Sequence, residues 1–324
     1  MKSISTKYFF EESVGVSLLS IVLMNINEIK QGLKDVNYIA SNDIIFAAAG
    51  AINEQIPLLI EGAPGAGKTA LAKAVSEMLG CKLIRVQFYE GLTADKILYD
   101  YDYQRQLLTI ESIKSVLAKE LNDKNIEEAI EATKDINFYG KSFLIQRPIL
   151  ESIMSKERCV LLLDEIDKAS EEIEYTLLQF LDEFSLSIPQ YGTITADENK
   201  KPIVFLTSNN YRDLSDALKR RCNYLYINNK TKEEMMEILK MKANISDKLA
   251  NGVASCLVDI QKLNLKQMPS IDEGIKWASY LQKNFSEINE DNIDYTICML
   301  AKNNDDIKEI LKANVIKKNI KNDL

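Results

Sequence analysis

A chain of 324 residues, 46% apolar and 27% charged, is long enough for one large domain and a smaller one, each with its own core. A formal net charge of -8, with no run of five or more Lys and Arg residues, argues against nucleic acid as a partner. Histidine is absent, and the five cysteines (Cys81, Cys159, Cys222, Cys256 and Cys298) are odd in number and follow no CxxC spacing. His ligands are thereby excluded, neither a zinc site nor a disulfide framework is expected, and a reducing cytoplasm fits. Any catalysis must run on carboxylates, Lys, Arg and bound metal.

From the N-terminus, the apolar run Val14 to Met24 follows Glu11 and Glu12, lacks a small-residue cleavage site and is too short to cross a membrane. Val14, Leu18, Ile21 and Val22 instead suit an amphipathic helix laid on the main domain, within a helical extension over 1–36. A helix is predicted over Asn42 to Gln55, then a buried strand at Ile56 to Ile60, a helix from Thr69 to Leu79 and a strand from Leu83 to Phe88. Three further apolar runs, Cys159 to Leu163, Ile203 to Leu206 and Tyr224 to Ile227, complete a pattern of strands alternating with helices, which indicates a parallel α/β sheet. The charged stretch from Tyr99 to Arg147 reads as an insertion with helices over Gln104 to Leu121 and Ile126 to Ile136, and 185–195 as a hairpin around Gly192. From Lys230 onward only helical patterns occur, at Thr231 to Ala243, Ser246 to Leu263, Ile271 to Phe285 and Glu290 to the C-terminus, which predicts a helical subdomain over 230–324.

Gly62-Ala63-Pro64-Gly65-Ala66-Gly67-Lys68-Thr69 matches G-x-x-x-x-G-K-[ST] between a predicted strand and a predicted helix. Glycines let backbone N–H groups converge on phosphates, the helix N-terminus running on through Ala70 adds a favourable dipole, Lys68 reaches the outer phosphates, and Thr69 offers a hydroxyl to Mg²⁺. A second apolar strand ends in Asp164-Glu165, at the carboxyl edge where α/β ligands bind. Asp164 fits the Mg²⁺ side, and Glu165 fits the group that orients and polarises the attacking water. After the third strand, Asn209 either holds the water or the γ-phosphate or serves as a turn residue. The basic cluster Lys219-Arg220-Arg221 is either a solvated face or the source of an arginine that acts across a subunit boundary.

The order of these motifs, with the helical C-terminal part, resembles AAA+ ATPases. In detail the chain is similar to the MoxR-like family, especially its CoxD-like branch linked to carbon-monoxide-dehydrogenase maturation. The segments that carry this resemblance, beyond the P-loop, are Arg85 to Leu92, Tyr99 to Leu108, Leu206 to Asn209 and Asp216 to Cys222. It implies an α/β fold, a P-loop αβα sandwich on a five-stranded parallel sheet over 37–229, with an insert at about 99–147, a pre-sensor hairpin at about 185–195 and a helical lid. It also implies ATP/ADP and Mg²⁺ as cofactors, a homo-oligomeric ring, usually a hexamer, and a client protein, often one with a von Willebrand A domain. By family position Asn209 looks like sensor 1 and Arg221 like the arginine finger, with Arg220 able to share or replace it. Tyr38 and Ile39, within Asn37 to Ala40, resemble the stretch near adenine and fit simple core packing equally well. One departure stands out: Asp272 occupies the place of the sensor 2 arginine, with Lys266 or Lys276 as conceivable substitutes.

The first functional expectation is an ATP-driven chaperone that assembles or activates a partner protein or metalloenzyme complex. The alternative is an AAA+ motor or GTPase-type subunit acting on nucleic acid, against which stand the acidic balance and the absence of an N-K-x-D guanine signature. A catalytically idle nucleotide switch is disfavoured by the intact Lys68, Thr69, Asp164, Glu165 and Arg221.

Overall fold

The computed structural model describes residues 23–120, 138–285 and 294–314, the side chains of 113–120 excepted. The first elements are α1 (Ile26–Asp35), α2 (Asn42–Asn53), β1 (Leu58–Gly62), α3 (Lys68–Leu79), β2 (Lys82–Gln87), α4 (Ala94–Ile97), β3 (Tyr99–Tyr101) and α5 (Tyr103–Glu120). There follow β4 (Leu144–Gln146), α6 (Pro148–Ile153), β5 (Cys159–Asp164), α7 (Glu171–Glu183), β6 (Ser185–Ile188), β7 (Gly192–Thr195), β8 (Ile203–Ser208), α8 (Asp216–Lys219) and β9 (Asn223–Ile227). The C-terminal part holds α9 (Lys232–Ala243), α10 (Asp247–Ile260), α11 (Ile271–Asn284) and α12 (Asn304–Ala313).

Strands β2-β5-β8-β1-β9 form one parallel sheet, in that order. Burial explains its sequence pattern. The three inner strands are buried at every residue, so they read as unbroken apolar runs, whereas the edge strands β2 and β9 bury only part of their side chains. Side chains alternate between two cores. Val160, Leu162, Ile203 and Phe205 pack with α1, α2 and α3 on one face, while Leu161, Leu163, Val204 and Leu206 pack with α6, α7 and the two small hairpins on the other. Each such fully buried side chain contributes roughly 1.5–3 kcal/mol. The result is an αβα sandwich, in agreement with the predicted fold class.

The helices after β9 have a core of their own around Trp277, whose indole N–H donates to Thr296 at 2.9 Å. Most predicted elements lie within two residues of the observed ones, because strong apolar periodicity and caps delimit them. Four expectations need correction or fall outside the described residues. The stretch 99–147 is more than helical: β3 and β4, 43 residues apart in chain from Tyr101 to Leu144, pair antiparallel, a contact between segments too distant for local periodicity to report. The continuous helix from Glu290 is broken before α12, where Asn303 caps Asp306 and the Asp306 carboxylate accepts N–H groups from Lys266 and Gln267. The helix over Val14 to Met24 lies outside the described residues except for Leu23 and Met24, which are not helical, and the one over Ile126 to Ile136 lies wholly outside them. α1, within the helical extension expected over 1–36 and capped by an Asn25/Glu28 capping box, sends Ile29 and Leu33 into the core beneath the sheet. Among the described residues no helix is long and apolar enough to cross a membrane.

Candidate nucleotide site

The carboxyl edge of the sheet gathers the P-loop from β1, the acidic pair from β5 and the polar end of β8, because parallel strands all point their C-termini the same way. The loop has no room for side chains at its base. Gly62 has φ +154°, and a Cβ there would stand 2.4 Å from the Ile227 carbonyl oxygen of β9. Past Pro64, which is exposed, the chain turns through an Ala66 N–H to Ala63 carbonyl bond of 3.2 Å and enters α3 at Lys68.

Lys68 is 6% exposed, and its ammonium donates to the carbonyls of Gly62 (2.7 Å) and Ala63 (2.9 Å) and to Asn209 Oδ1 (2.8 Å). Burial lowers its pKa; the charges of Asp167, Asp164 and Glu165 oppose that effect. Asn209 Nδ2 faces Glu165 Oε1 at 3.4 Å, so one amide spans the P-loop cation and the strand-end carboxylate. Glu165 itself sits in the left-handed region at φ +59°, donates its N–H to Thr207 Oγ1 (2.9 Å), and receives the Lys168 ammonium at 2.6 Å.

Asp164 is 2% exposed and fully engaged. Its Oδ1 accepts the hydroxyls of Thr69 (2.9 Å) and Thr207 (2.6 Å), and its Oδ2 accepts Arg85 Nε at 3.0 Å. Asp167 and Lys168 were not singled out in the sequence, and Arg85 and Thr207 stood only within segments of the resemblance, with no site role assigned. Asp167 accepts the backbone N–H groups of Asn209 (3.0 Å) and Tyr211 (2.8 Å), which sets the loop after β8 in place. The Asp164-x-x-Asp167 spacing was a usable signal for it; the reach of Arg85 across from β2 depended on strand order and was not.

A cleft joins Gly65 to Ala70, Asp164, Glu165 and Asn209 with Tyr38 and Ile39 and with Ile238, Ile271, Asp272 and Ile275 of the C-terminal helices. Of its lysines, Lys230 and Lys242 come from the C-terminal side. Lys266 and Lys276 do not line this cleft, and Lys266 is paired with Asp305 at 2.5 Å. Arg220 and Arg221 lie elsewhere on the same subunit. Arg221 bonds the Ala217 carbonyl (2.9 Å) and Asp182 (3.3 Å), and Arg220 is exposed.

A Gly-rich loop between strand and helix, a buried cation and a hydroxyl–carboxylate pair at a parallel sheet edge are the constellation of a P-loop nucleotide-binding protein. The model of the AAA domain (dynein-related subfamily) matches residues 57–222, just over half of the chain, and the chain belongs to that family. The chaperone protein ClpB of Mycoplasma pneumoniae is 24% identical over 271 residues, which are 78% of this chain and 33% of ClpB. The chain thus spans about a third of the length of that relative. Among solved structures, a RuvB mutant of Thermotoga maritima is similar with a TM-score of 0.45 and 17% identity, over 85% of this chain and 70% of that one.

Proposed function

We propose that the chain hydrolyses ATP with Mg²⁺ at this edge and works as a MoxR-like AAA+ chaperone, in a homo-oligomeric and most simply hexameric ring in the cytoplasm, that remodels or activates a client protein. The observation that carries the reading is the Asn209 amide joining Lys68 to Glu165 beside the Thr69–Asp164 pair. The working division is an extension over 1–36, a nucleotide domain over 37–229 and a lid over 230–324.

The steps follow from the side chains. Lys68 is held by carbonyls and Asn209, and turns to the β- and γ-phosphates when ATP lies on the loop amides of Gly65 to Ala70. Hard oxygen donors suit Mg²⁺, and the Thr69 hydroxyl and Asp164 Oδ1 offer two within 2.9 Å of each other, with Arg85 pinning the far carboxylate oxygen. Mg²⁺, when bound, offsets charge on the phosphates. Glu165 orients a water against the γ-phosphorus and takes its proton as the bond to ADP breaks, a role worth ~10²–10⁴ in rate. Asn209, touching both groups, keeps water and phosphoryl in line.

Arg221 does not line its own subunit's cleft, which suits a finger that serves the neighbour. Asp272, exposed on the lid side of the cleft, gives no positive charge to the γ-phosphate, so turnover is expected to be slow or to lean on the neighbour's arginine. The test is direct. Lys68→Ala abolishes nucleotide binding, and Glu165→Gln binds ATP without turning it over; equal loss of binding in both variants refutes the assignment of roles.

A further inference from the structure

Among the described residues that line the cleft, Tyr38 has a buried hydroxyl without a hydrogen-bond partner. Asn37, at φ +58°, turns the chain out of α1 so that the Tyr38 N–H donates to the Leu33 carbonyl at 2.9 Å and the ring runs inward. The residue is 9% exposed, yet its hydroxyl has no hydrogen-bond partner among the described residues. A buried phenol without a partner is costly, so a ligand group belongs opposite it. Burial, and secondarily the charge of Glu234, raise its pKa far above the usual phenol range, so it is a hydrogen-bond donor at every physiological pH.

Its position identifies the ligand group. The ring lines the cleft together with Gly65 to Ala70, and the hydroxyl lies 3.9 Å from the point where a Cβ on Gly67 would stand. Gly67 belongs to the loop whose backbone amides cradle the α- and β-phosphates. We infer that the Tyr38 hydroxyl donates a hydrogen bond to an α- or β-phosphate oxygen of the bound nucleotide. The inference rests on the nucleotide reading above and adds to it a ligand contact that the motif does not contain.

The experiment measures ADP binding with Mg²⁺ by the wild-type chain and Tyr38→Phe, together with unfolding in the absence of nucleotide. A donor to a charged oxygen predicts affinity weakened on the order of ten- to a hundredfold in the variant. The nucleotide-free unfolding midpoint should hold or rise, because a partnerless hydroxyl has been removed. The same loss must persist with 2′,3′-dideoxy-ADP, which lacks ribose hydroxyls. Unchanged ADP affinity overturns the inference and assigns the hydroxyl to solvent. A loss that vanishes with the dideoxy analogue moves the contact to the ribose and overturns the phosphate assignment, and a lowered midpoint assigns the hydroxyl to the fold. Failure of the wild-type chain to bind ADP is a separate result, and it refutes the nucleotide reading itself.

Discussion

Gly65→Ala probes how the P-loop meets the C-terminal helices. Gly65 has φ +78°, and a Cβ there would stand 2.3 Å from Ser270 Cβ at the start of α11. The left-handed backbone alone costs an alanine about 1 kcal/mol. The contact falls more than an ångström short of ordinary packing, and Ser270 Cα at 3.1 Å lies behind it, so the relief must come from movement of the C-terminal helices. Overpacking of this kind typically costs about 1–3 kcal/mol, which makes the total roughly 2–4 kcal/mol. Ser270→Gly removes the obstructing atom. It keeps the Ser270 N–H to Glu273 bond of 2.8 Å and loses the hydroxyl's cap of the Glu273 N–H and its 3.2 Å bond to the Glu273 carboxylate, a Ser-to-Gly cap change worth a few tenths of a kcal/mol by itself. In denaturant unfolding and in ADP titration, the double variant should therefore recover most of the steric part and retain the backbone part of about 1 kcal/mol together with the milder contact of Ser270 Cα at 3.1 Å. Strict additivity of the two substitutions, or a Gly65→Ala chain as stable as the wild type, would show that the loop and α11 are not in contact and refute the reasoning.

Two more outcomes are expected. Arg221→Ala should bind ATP but lose most hydrolysis, an effect of ~10³ or more for a finger arginine, and mixing it with Glu165→Gln should restore some turnover at ring-forming concentrations; no gain at any mixing ratio, with Arg220→Ala run in parallel, places the arginine outside the neighbour's site. Alkaline stability reports the buried thiol of β5: burial pushes Cys159 from 9 to about 11, so the folded state holds the proton longer than the unfolded chain. Its contribution is full below pH 9 and is lost as pH rises toward 11, by up to about 1.4 kcal/mol per pH unit, and urea unfolding of Cys159→Ala should lack that part of the slope.

What the sequence by itself determined is the set of parts that are local in chain. The Gly62 to Thr69 spacing, the apolar run into Asp164-Glu165, and the caps and periodicity of α2, α3 and α9 to α11 are short-range patterns, each fixed by backbone sterics or by burial of a single face. Tertiary structure decided what depends on strand order and on docking. Only the sheet order brings Arg85 of β2 to Asp164 and Asn209 of the β8 loop to Lys68, residues up to 141 apart in chain. Only the seating of the C-terminal helices places Lys230, Lys242 and Asp272 in the cleft, leaves Lys266 with Asp305, and sets Ser270 against Gly65. Likewise Tyr38 was readable as core or as ligand contact, and its burial with an unpartnered hydroxyl follows from the fold around it. The physical reason is common to all of these: a motif encodes the conformation of its own few residues, whereas a charge or hydroxyl acquires its partner when separate elements are brought together by burial of faces that carry no information about which polar groups will meet.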